Sequence, residues 1–155
     1  MQPLNIGTEK GLEKIIKYCA YQERSHVEVK EKLFSYGLYK EQVEELISQL
    51  IAENYLNEER YAIAFAGGKF RMKYWGRIKI RYELKQHQVS EYCIKKALSQ
   101  IDEDEYHERL KKLLTEKAKT LKQEKNSFVK KRKIMAYLQQ KGYESSLINE
   151  LLMEL

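Results

Sequence analysis

The chain has one proline, two cysteines and seven glycines in 155 residues, and it shows no convincing strand pattern. A single proline leaves long helices uninterrupted. With 34% charged residues and a mean hydropathy of -0.69, the composition reads as helical throughout and about the size of one ordinary domain. Cys19 and Cys93 lie far apart, each on the apolar face of an expected helix, so both are expected as small buried hydrophobes rather than a disulfide pair. His26, His87 and His107 have no ligand spacing with each other or with either thiol, and no metal site is expected. The longest apolar run, Tyr61 to Ala66, is far short of the roughly 20 residues that span a bilayer. Met1 to Ile6 lacks the basic start and apolar run of an export signal, so a cytoplasmic address and no membrane partner are expected.

Catalytic motifs are missing as well. There is no phosphate-binding glycine loop, nucleophile elbow, metal-ligand cluster or dinucleotide turn. Gly67-Gly68 is followed by Lys69 with no hydroxyl residue behind it, and it falls inside an expected helix. The glycine pair reads as a close helix contact or as a soft point that lets the basic segment adjust. Neither an enzyme nor a cofactor is expected.

What the chain does have is charge in blocks. Residues 1–59 hold 7 Lys and Arg against 11 acids, whereas residues 60–101 hold 10 against 2. Residues 102–108 carry five acids, and residues 109–133 hold 11 cations against 2 acids. The central block is the most informative stretch, Tyr55 to Leu84. Asn57 followed by Glu58 and Glu59 is a helix start, with a cap for the free amides and carboxylates at the positive end of the dipole. Ala62, Phe65 and Ala66 supply a narrow apolar stripe. Lys69, Arg71 and Lys73 precede Gly76, and Arg77, Lys79, Arg81 and Lys85 follow it, with Phe70, Tyr74 and Trp75 set among them. Arg77, Arg81 and Lys85, spaced i, i+4, i+8, form one cationic ridge on a helix. Like charges at that spacing repel, so an anionic partner is expected for these residues and for Lys131, the repeat equivalent of Arg77. Phe70, Tyr74 and Trp75 are candidates for base stacking, with a core role as the competing expectation.

An internal repeat organises the whole. Val43, Leu46, Ile47 and Leu50 return as Ile94, Ala97, Leu98 and Ile101, and again as Ile148, Leu151, Leu152 and Leu155. Val29 and Leu33 likewise return as Ile80 and Leu84, then as Ile134 and Leu138. The spacing predicts an all-α chain of three tandem three-helix repeats, over residues 9–54, 57–101 and 104–155, stacked into an elongated, curved array of either hand. Within the first repeat, helices are expected over Glu9 to Gln22, from a Ser25 cap to Tyr36-Gly37, and over Lys40 to Asn54.

Tyr55, Leu56, Asn57, Glu58, Arg60, Tyr61, Ala62, Phe65 and Lys69, with Gly76, Ile80, Glu83 and Leu84, resemble the central motif of the RecX family, the regulators of RecA recombinase. Gln88, where a glycine is common, and the Gly67-Gly68 pair depart from that pattern. The resemblance implies a non-enzymatic, mainly negative modulator that docks in the groove of the RecA filament on single-stranded DNA. It would limit filament extension, ATP hydrolysis, strand exchange and co-protease activity. Single-stranded DNA, met directly or through RecA, and duplex DNA are further expected partners, and a monomer is expected. Two other readings remain: a stand-alone nucleic-acid binder using Gly76 to Gln88 and Ser90 to Ile101 as a helix-turn-helix, and a helical scaffold that binds neither.

Overall fold

The computed structural model describes residues 4–155, and every regular element among them is helical. The first three helices are α1 (Thr8–Tyr21), α2 (His26–Ser35) and α3 (Lys40–Ala52). Next come α4 (Glu58–Gly68), a π-helical turn (Lys69–Lys73), α5 (Arg77–Gln86) and α6 (Glu91–Ser99). The chain finishes with α7 (Glu103–Thr120), α8 (Ser127–Gln140) and α9 (Ser145–Leu152). We refer to α1–α3, α4–α6 and α7–α9 as units 1, 2 and 3.

Local chemistry sets most helix starts. Ser25 and Glu28 form a reciprocal capping box at α2, and Asn57, Ser90, Asp102 and Asn126 each accept a backbone N–H three residues on. The apolar stripes then bury. Ile15, Val29, Leu33, Val43 and Leu50 meet in the core of unit 1, closed by Leu38 from the α2–α3 turn and Leu56 from the segment before α4. Units 2 and 3 share one continuous core, in which Phe70, Ile80, Leu84 and Ile94 pack with Tyr106, Leu110, Ile134, Leu138 and Tyr143. Cys19 and Cys93 are free thiols and both are buried.

Units 2 and 3 are also joined backbone to backbone. Gly76 N–H donates to the Lys141 carbonyl at 2.8 Å, and Ile78 N–H to the Gly142 carbonyl at 2.9 Å. A Cβ on Gly76 would overlap the Gly142 backbone, so this approach requires glycine. Gly142 itself has a φ of 99°, in the left-handed region, and faces Lys79.

The junction of unit 1 with unit 2 is more polar. Arg60 pairs with Glu23 and also donates to the Asn54 carbonyl, and His26 lies 4.0 Å from Glu58. The protein exposes 10124 Å² for a mass of 18.6 kDa. A compact monomer of that mass exposes about 8,200 Å², so the array is elongated.

The π-helical turn has no counterpart in the residue pattern. It begins where Gly67-Gly68 weakens α4 and ends at Tyr74, whose φ of 61° lies in the left-handed region. The wider turn carries Phe70 into the core, stacked on Tyr106 with ring centroids 5.8 Å apart.

A candidate basic interface

The cations of the central block divide into two groups. Arg77, at the first position of α5, is committed within the fold. Its guanidinium lies 3.9 Å from the centroid of the Tyr106 ring, and its nitrogens reach Glu103 at 2.6 Å and Glu144 at 2.7 Å. The Arg77 backbone N–H donates to the Tyr106 hydroxyl at 2.9 Å, and that hydroxyl donates to Glu144. One arginine thus ties α5 to the starts of α7 and α9. Burial, then the hydrogen bond to the Glu144 carboxylate, pushes the Tyr106 phenol well above its ordinary range.

Arg81 and Lys85 both face Glu91 at the start of α6, and the hydrogen bond from Arg81 holds the Glu91 carboxyl below its usual value. The ridge that its spacing predicts is therefore present on α5, but carboxylates answer it. Glu91 was visible inside the block; Glu103 and Glu144 come from unit 3.

Lys69, Lys73 and Lys79 form no ion pair among the described residues. The Lys69 and Lys79 ammonium groups lie 5.0 Å and 4.7 Å from the Trp75 ring, so two cations flank one half-buried indole. Trp75 in turn packs edge-on against Phe65. Lys73 is exposed. Arg71 lies over Gly67 and lines a cleft with Asp102 and Glu105 without pairing with either. Lys131 sits on α8, away from this cluster, beside Arg132, Phe128 and Met153.

The three aromatic candidates have different fates. Phe70 is 2% exposed and covered by Tyr106, which corrects the base-stacking expectation for that ring. Trp75 is half-buried. Tyr74 is exposed on one side while the Arg109 guanidinium stacks 4.4 Å from its centroid.

Sequence reasoning overlooked Arg109, which also donates to the Phe70 and Arg71 carbonyls, and Lys117 and Lys141, which flank the Tyr137 ring at 4.8 Å and 5.9 Å. Lys141 belongs to the same junction, because its carbonyl accepts from Gly76. It also overlooked Tyr106. A signal existed for that residue: Tyr61 and Tyr106 each follow an Asn or Asp cap by four residues.

An elongated stack of three-helix units, with lysines flanking aromatic rings along its middle, is a helical-repeat architecture. The sequence comparisons narrow that class. Residues 57–98 match the family model of the second three-helix domain of RecX, and residues 103–152 match that of the third. The chain is 32% identical over 149 residues to the regulatory protein RecX of Thermotoga petrophila, covering 96% of this chain and 86% of that one. It is 29% identical over 150 residues to the regulatory protein RecX of Prosthecochloris aestuarii, covering 96% and 95%. The crystal structure of RecX from Lactobacillus salivarius superposes with a TM-score of 0.87 at 24% identity over 96% of both chains. The chain belongs to the RecX family of regulatory proteins. Among the described residues, no helix is long and apolar enough to cross a membrane.

Proposed function

We propose that this chain is a non-enzymatic, mainly negative modulator of RecA recombinase, acting in the cytoplasm. It docks in the groove of the RecA filament on single-stranded DNA and limits filament extension, with ATP hydrolysis, strand exchange and co-protease activity falling as a result. The observation that carries this reading, beside family membership, is the Lys69–Trp75–Lys79 cluster. Two ammonium groups that pair with no carboxylate among the described residues are held on an indole at the centre of an elongated array. Such a surface suits DNA phosphate or acidic protein.

Lys73, Arg71 and Lys131 extend the contact. Arg81 and Lys85 contribute by exchanging Glu91 for a partner anion, while Arg77 acts by holding units 2 and 3 in register.

The test is binding to RecA filaments on labelled single-stranded DNA, beside the same DNA without RecA. Wild type should bind the filament, and Lys73→Glu with Lys79→Glu should weaken binding at least tenfold with an unchanged melting temperature. Equal affinity for naked DNA, falling steeply with salt, would favour the stand-alone nucleic-acid binder instead.

A further inference from the structure

The repeat allows a surface of one unit to be compared with its equivalents in the others. Offsets of 51 and 54 carry His26 to Arg77 and Lys131. His26 faces Glu58, the first residue of α4, and Arg77 pairs with Glu103, the first residue of α7. The two receiving helices open alike. One reads Asn57-Glu58-Glu59-Arg60-Tyr61 and the other Asp102-Glu103-Asp104-Glu105-Tyr106: a capping side chain, two or three carboxylates, and a tyrosine four residues after the cap. Both tyrosines are buried at the start of the following unit.

Unit 2 receives α7 beside a groove between α5 and α6, lined by Arg77, Ile78, Arg81, Leu98 and Ser99, with Glu103 and Glu144 reaching it from unit 3. Position by position, the offset of 54 turns those five residues into Lys131, Arg132, Met135, Leu152 and Met153. These line a groove of about 440 Å³ between α8 and α9, with Phe128 at its edge. Among the described residues no carboxylate pairs with Lys131 or Arg132, and Phe128 and Met153 are 73% and 83% exposed. Arg81 and Ser99 of unit 2 have become Met135 and Met153, two adaptable apolar side chains suited to a packed partner.

We propose that the α8–α9 groove docks a helix of another protein with the signature that α4 and α7 share: an Asn or Asp cap, carboxylates in the first turn and an aromatic residue four positions after the cap. The carboxylates meet Lys131 and Arg132, and the aromatic ring lies against Lys131 as the Tyr106 ring lies against Arg77, with Met135 and Met153 lining the rest of the groove. A second copy of this chain does not present that signature at the corresponding helix. Its α1 opens Gly7-Thr8-Glu9-Lys10-Gly11, with no capping side chain, one carboxylate and glycine in place of tyrosine.

The probe is a peptide of residues 101–116, held helical by a staple through positions 108 and 112, both exposed in α7. It is titrated into the isotope-labelled 155-residue chain and followed by NMR. Shifts should concentrate at Lys131, Met135, Leu152 and Met153. Replacing tyrosine by alanine at the position of Tyr106 in the peptide, or Lys131→Glu with Arg132→Glu in the protein, should weaken binding at least tenfold. Arg132 is exposed and Lys131 half-buried, and an unchanged melting temperature verifies that the fold is kept. No shifts on α8 and α9, shifts centred on Arg77 and Phe70 instead, or undiminished binding by the double variant would each overturn the proposal. Sedimentation showing that the chain associates with itself through Lys131 and Arg132 would assign the groove to a second copy and overturn it as well.

Discussion

Arg77 illustrates how one side chain changes meaning between sequence and structure. As one of three cations at i, i+4, i+8, it reads as a binding residue; in the fold its guanidinium is shared between Glu103, Glu144 and the Tyr106 ring. Arg77→Ala should cost about 2 kcal/mol in urea unfolding, the scale of losing hydrogen bonds to charged groups. Arg81→Ala, which removes an exposed pair with Glu91, should cost much less. Equal costs would contradict the distinction. The buried phenols give a pH signature too. Burial, and then the charge of Glu28, pushes Tyr61 up to about 12, and burial raises Tyr106 and Tyr143 as well. A folded-state value raised above the unfolded one, about 10, means that the neutral phenol is favoured in the native state. Its contribution is complete below pH about 10 and is lost as pH rises through the folded value. Stability measured by denaturant titration should therefore decline from about pH 10 towards 12, and less so in Tyr61→Phe.

Among the elements, the contrast between two glycines is the sharpest test. A Cβ on Gly68 meets nothing within 4 Å, so Gly68→Ala should stabilise α4 by about 0.5–1 kcal/mol through helix propensity. A Cβ on Gly76 overlaps the backbone of Gly142, so Gly76→Ala should destabilise by more than about 2 kcal/mol as the two backbones are forced apart. Thermal melts of the two variants would show shifts of opposite sign. Should Gly68→Ala also weaken filament binding, the glycine pair would be a point of adjustment and not only a local weakness. The helix starts at Ser25 and Asn57 and the repeated apolar stripes were legible in the sequence, because caps and 3.6-residue periodicity depend on neighbours a few positions away. The π-helical turn was not legible, since no side-chain spacing in Lys69–Lys73 distinguishes it from a continuing α-helix. Nor were the partners of Arg77, which lie 26 and 67 residues further along the chain. The lysines on Trp75 were visible as a charge run, but which of the run would stay unpaired depended on where unit 3 placed its carboxylates.

At the scale of the molecule, two cores imply two levels of stability. Unit 1 has its own core and meets unit 2 through Arg60–Glu23 and His26–Glu58, whereas units 2 and 3 share one apolar interior and a backbone clasp. Hydrogen exchange should show α1–α3 opening at lower free energy than α4–α9, and Arg60→Ala should widen the difference. Uniform protection across α1–α9 would contradict this. A first unit with its own core beside a pair that shares one is compatible with the filament docking proposed above. The measurement that tests this account most directly is RecA's ATP hydrolysis on single-stranded DNA with substoichiometric amounts of the chain, beside the Lys73→Glu, Lys79→Glu variant. The account expects hydrolysis to fall with wild type and to persist with the variant. Hydrolysis untouched by wild type in its cognate system, or suppressed equally by both proteins, would contradict it.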